Sequence, residues 1–79
     1  MVLNDGNNTT ARRILAQAVQ RLRIQAGLNV ADLARAAQMP VQHLDGIEQA
    51  SRLVTIDEIS RLADALGVPP AELFKDDLN

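Results

Sequence analysis

The sequence predicts an all-α fold of five helices, and three observations carry that prediction. Apolar residues recur at the three- and four-residue spacing of helix faces, with no alternating run of the kind a half-buried strand shows. Helix-start and helix-stop signals succeed one another at short intervals along the chain. The apolar palette is aliphatic: hydrophobic residues fill 47% of 79 positions while aromatics fill 1%, Phe74 being the single one, so Leu, Ile, Val and Ala must build the core. A chain of this length has material for one such core.

Residues 1–8 are polar and rich in Asn and Gly, and read as a flexible arm ahead of a folded domain at 9–79. The first helix is expected to start at Thr9 or Thr10, whose hydroxyls suit an N-cap, and to run to Ala26 before Gly27 turns the chain in a left-handed stop. Leu15, Ala18, Val19, Leu22 and Ala26 form its stripe, and Ile14 and Ile24 fall off it. Asn29 and Asp32 have capping-box spacing, which opens a second helix over residues 30–37 with Leu33, Ala34 and Ala37 inward. Pro40 disfavours helix at Met39 and suits a new helix start, so a third helix is expected over residues 41–49, with Leu44 and Ile47 inward. Thr55 and Glu58 form a second capping box, opening a fourth helix over Ile56, Ile59, Leu62, Ala63 and Leu66 that Gly67 stops. Pro69 and Pro70 begin a last short helix through Ala71, Leu73 and Phe74.

Residues 30–37 and 41–49, two short helices joined by a tight turn, have the size of a unit whose second helix enters the major groove of DNA. The residues add to the spacing. LRIQAGLNVADLARAAQM, HLDGIEQASRLVTIDEI and RLADALGVPPAELF resemble, from residue 19 to residue 74, the phage-repressor-like (Cro/repressor, XRE) helix-turn-helix family. The Gly-Ile-Glu with a following Arg52 and Thr-Ile is also similar to the small controller proteins of restriction-modification systems. The resemblance implies a compact five-helix repressor-like helix-turn-helix domain that acts as a sequence-specific transcription regulator.

It further implies roles for particular residues. Arg23 and Glu48 stand where family members bury an Arg–Glu pair, and are expected to tie the first helix to the recognition helix. Asn29 and Val30 fall near phosphates, Val41, Gln42 and His43 face base edges, and Arg52 reaches backbone or base. Gln42 is suited to adenine, which an amide pairs bidentately, and Val41 to a thymine methyl. A homodimer on a palindromic operator is expected, through Val68, Leu73, Phe74 and Leu78 on the last two helices.

The chain also departs from the family pattern. Val30 replaces a Gln that meets a phosphate, Pro40 replaces a hydroxyl cap, Asp45 adds negative charge to the recognition helix, and Ala50 stands where Gly is usual. Residues 41–49 contain no Lys or Arg. The net charge of −2 divides unevenly: residues 1–27 carry four arginines against one aspartate, net +3, and residues 28–79 carry four basic against nine acidic side chains, net −5. These departures admit an alternative, a protein-binding antiactivator that docks on another transcription regulator instead of on DNA, with exposed Ile14 or Ile24 and the apolar end Val68, Leu73, Phe74 and Leu78 contributing contact area.

Other classes find little footing. His43, Asp45 and Ser51 gather near one helix end, but residues at i and i+2 point to different helix faces, so no enzyme is expected. One histidine and the Asp76-Asp77 pair do not make a metal-ligand set, and no cofactor is expected. The absence of cysteine fits a cytoplasmic protein. No membrane segment is present in the sequence.

Overall fold

The structure, a computed structural model, describes residues 5–75, with side chains from residue 10 onward. Among the described residues there are four α-helices, α1 (Asp5–Gln25), α2 (Val30–Ala36), α3 (Val41–Glu48) and α4 (Ile56–Leu66), followed by a 3₁₀ turn (Pro70–Phe74). No strand occurs among them. Helix α1 packs on α3 and the 3₁₀ turn, α2 on α3 and α4, and α4 on the turn. One cluster of Leu15, Val19, Leu33, Leu44, Ile47, Leu62 and Leu73 with small neighbours forms the centre.

Four expectations are corrected. Helix α1 begins at Asp5, ahead of Thr9 and inside the arm expected at residues 1–8. No proline interrupts residues 5–10, and a helix nucleated by packing extends by one hydrogen bond per residue. Ala26 lies past the helix end and is exposed, and Ala16 joins the buried face instead. Ile56, expected inward, is 85% exposed because it occupies the first position of α4, beyond the edge of the core. The fifth helix is a single 3₁₀ segment, in which Glu72 N–H donates to the Pro69 carbonyl at 2.9 Å. A segment of five residues, the first of them Pro70, is too short to nucleate an α-helix.

The two capping boxes read from the sequence form as expected. Asn29 Oδ1 accepts from Asp32 N–H at 2.7 Å while Asp32 Oδ2 accepts from Asn29 N–H at 3.3 Å. Thr55 and Glu58 reciprocate in the same way, at 3.1 and 3.0 Å. All four helices end with a related hydrogen-bond pattern, in which a residue at or just after the C-cap turns left-handed and the next N–H reaches back five residues. Those N–H groups are Leu28 to Arg23, Met39 to Ala34, Ser51 to Gly46 and Val68 to Ala63, at 2.9–3.1 Å. Gly27 and Gly67 hold the left-handed position in α1 and α4, but Gln38 and Ala50 hold it in α2 and α3, each at φ 60°. The stop at Ala50 is therefore regular in its hydrogen bonds and strained in its backbone.

Candidate nucleic-acid interface

Helix α3 presents two different sides. Leu44, Ile47 and Glu48 are buried, while Val41, Gln42, Asp45 and Gln49 are exposed, Val41 at 47%. Pro40 lends no side-chain cap, and the N–H groups of Val41 and Gln42 have no partner among the described residues. Two backbone donors, an amide side chain and an apolar side chain thus gather at the open end of α3. Asn29 stands exposed before α2; its Oδ1 serves the capping box, and its amide N–H groups are unpartnered among the described residues.

Helix α3 is anchored at its other end by α1. Arg23 Nε donates to Glu48 Oε2 at 2.8 Å and Arg23 Nη2 to Glu48 Oε1 at 3.1 Å, a two-pronged pair whose side chains are 15% and 7% exposed. Arg23 Nη1 also donates to the Leu28 carbonyl at 3.0 Å, and Gln20 Nε2 to the Glu48 carbonyl at 2.6 Å. The last turn of α1 therefore holds both the end of α3 and the loop before α2. Planar bidentate pairing of this kind fixes orientation as well as distance.

His43 is placed differently from the expectation that it faces base edges. Its ring is largely buried, with Nε2 2.6 Å from Glu58 Oε2 at the start of α4. The contact joins the first turn of α3 to the first turn of α4. The Thr55 backbone N–H that Glu58 accepts, together with the charge and hydrogen-bonding capacity of His43, holds the Glu58 carboxyl below its ordinary range against an opposing effect of burial. His43 is not gathered with the other polar residues of the helix end: Asp45 accepts from Gln49 Nε2 at 2.8 Å and Ser51 Oγ donates to the Gly46 carbonyl at 3.1 Å.

Arg61 is a residue that sequence reasoning missed. From α4 it donates through Nη1 to the carbonyls of Gln38 at 2.9 Å and Ala37 at 3.3 Å, clamping the turn between α2 and α3. The i, i+4 spacing of Asp57 and Arg61, 3.1 Å apart, is visible in the sequence; the reach across to α2 is not.

The surface expected to pair with a second copy is also changed. Leu73 is fully buried and closes the core. Val68 is partly buried, Phe74 is 49% exposed, and Leu78 lies outside the described residues. Phe74 shares an apolar cleft of about 180 Å³ with Ala11, Arg12, Leu15, Leu53, Val54 and Ile59. Ile14 is half-buried and Ile24 is 66% exposed.

The model of the helix-turn-helix domain family matches residues 14–74, the span from α1 to the final turn. The chain belongs to the helix-turn-helix domain family. Among solved structures, this helix-turn-helix domain is similar to the restriction-modification controller protein C.AhdI from Aeromonas hydrophila, with 32% identity and TM-score 0.78 over 80% of this chain and 96% of that one. It shares its fold with the hypothetical transcription factor NHTF from Neisseria, with 23% identity and TM-score 0.85 over 99% of this chain and 87% of the other. A helix-turn-helix family transcriptional regulator from Vibrio cholerae matches at 21% identity and TM-score 0.83 over 89% of this chain, but only 39% of its own. The search of curated proteins gave no match. No described helix is long and apolar enough to cross a membrane.

Proposed function

We propose that this helix-turn-helix domain is a cytoplasmic transcription regulator that binds a palindromic operator as a homodimer and reads it with α3. The observation that carries the reading is the open face of α3, where uncapped Val41 and Gln42 N–H groups stand beside the exposed Gln42 amide. Uncapped donors at a helix start match a phosphate oxygen, and an exposed amide one residue inside matches a base edge. Asn29 supplies a further amide for the phosphate backbone, and Arg52 a cation. His43 serves this reading by holding α3 against α4 through Glu58. The exposed apolar side chains Leu53 and Phe74, which share one cleft, with Val68 beside the last turn, form the surface offered to the second copy. The similarity to a restriction-modification controller protein supports the same reading.

A second reading, docking on another transcription regulator, is favoured by a specific feature: α3 carries an exposed Asp45 and no Lys or Arg. Fluorescence anisotropy of the whole chain against a duplex from upstream of its own coding region separates the two. Salt-sensitive nanomolar binding is expected, with Gln42→Ala weakening it about tenfold. Absence of binding at low salt would overturn the DNA reading in favour of a protein partner. Sedimentation of the same sample at micromolar concentration is expected to show a dimer that Phe74→Ser weakens, and a monomer there removes the palindrome.

A further inference from the structure

Gly46 lies inside α3 in ordinary helical conformation, so its backbone does not call for glycine. Glycine weakens a helix interior, and α3 has only eight residues. The reason for its presence is a neighbour. A Cβ at position 46 would stand 2.8 Å from Arg52 Cδ and 3.3 Å from Arg52 Cγ, closer than side-chain carbons pack, with Ser51 Oγ at 3.6 Å. The aliphatic stem of Arg52 therefore lies directly on the bare backbone of α3. The left-handed turn at Ala50 brings it there: Ser51 N–H donates to the Gly46 carbonyl at 3.0 Å, and the next residue folds back over the helix. Arg52 has no ion-pair partner among the described residues and is exposed.

We infer that Gly46 is a positioning residue whose missing Cβ forms the slot for Arg52, so that α3, without a Lys or Arg of its own, acquires a guanidinium on its surface from the loop that follows. Gln42 precedes Gly46 by one helical turn and occupies the same side of α3. Arg52 laid on Gly46 and Gln42 one turn earlier thus make a single composite surface, a guanidinium beside an amide. The acceptor that such a cation meets on DNA is a phosphate oxygen or the O6 and N7 edge of guanine. This inference rests on the DNA reading for its consequence, but the packing of Arg52 on Gly46 is testable without DNA.

The experiment uses the full chain with Gly46→Ala, Arg52→Ala and the double variant, each titrated by anisotropy onto the upstream duplex and onto a scrambled duplex over a range of salt. Gly46→Ala is expected to weaken binding about as much as Arg52→Ala, roughly tenfold, and the double variant no more than Arg52→Ala. Equal losses on both duplexes with a salt slope smaller by about one assign Arg52 to a phosphate; loss on the upstream duplex alone assigns it to a base. Melting of Gly46→Ala is expected at or above the parent temperature, which separates lost positioning from lost folding. Parent-like binding by either single variant, or losses that multiply in the double variant, overturns the inference. If the parent binds neither duplex, the DNA reading fails by itself. The slot is then judged by the Arg52 Nε–Hε resonance in nuclear magnetic resonance spectra, which is expected to move in Gly46→Ala; an unmoved resonance overturns it.

Discussion

Glu48 concentrates the residue-scale chemistry of this domain. Its carboxylate is buried against the Arg23 guanidinium, its carbonyl accepts from Gln20, and both contacts come from the last turns of α1. Removing one partner of a buried pair strands the other charge, so Glu48→Ala is expected to lower stability by about 3–5 kcal/mol. Replacing both, Arg23→Met with Glu48→Leu, removes the desolvation cost along with the attraction and is expected to fall near the parent. Urea denaturation of the parent, Arg23→Met, Glu48→Leu and the double variant checks the coupling, and additive losses would contradict it. In the sequence, only the resemblance points to this pair. For His43 the resemblance implied a place at base edges and gave no sign of the contact the structure shows, because nothing within α3 indicates that Glu58, fifteen positions away, meets its ring.

Among the elements, the helix ends were the most legible part of the chain. Capping boxes and glycine stops rest on hydrogen bonds within six or seven consecutive residues, so local sequence suffices to specify them. Two stops were less visible, since Gln38 and Ala50 adopt the left-handed conformation without being glycine. A side chain there costs about 1–2 kcal/mol, while glycine costs about 0.4–1 kcal/mol in unfolded-chain entropy. Ala50→Gly is therefore expected to stabilise the domain by about 0.5–1 kcal/mol, read as a raised denaturation midpoint without a change in slope; a lowered midpoint would refute the strain. The α2–α3 turn shows how such a conformation is maintained. The Arg61 guanidinium from α4 binds the carbonyls on both sides of the bend, a contact between elements that no short window of sequence encodes.

At the scale of the whole molecule, charge and packing pull in different directions. The +3 of residues 1–27 and the −5 of residues 28–79 are not two separate surfaces, because Arg23 is consumed internally by Glu48, and Arg61 reaches across from α4 to the α2–α3 turn. Exposed Arg13 and Arg52 are among the cationic side chains that stay at the surface. Stability should follow acidity through the α4 cap. Glu58 takes up its proton at lower pH when folded than when unfolded. Its contribution is therefore complete above the ordinary glutamate range and is lost as pH falls through that range to the folded value. Glu58→Gln keeps an acceptor for the Thr55 N–H but cannot titrate, and denaturation between pH 7 and pH 3 is expected to show a shallower loss for this variant. An unchanged slope would place the acid sensitivity elsewhere.

The sequence by itself determined the all-α class, three of the helix starts, two of the four helix stops and most of the buried aliphatic residues, because each depends on neighbours within a few positions or on one helical period. Tertiary structure alone decided that Leu73 closes the core, that His43 turns to Glu58, that Arg61 clamps the turn between α2 and α3, and that Arg52 lies in the slot left by Gly46. Each of those contacts joins residues whose proximity depends on how the chain turns and packs, and helical periodicity carries no information about which distant side chain fills a given space.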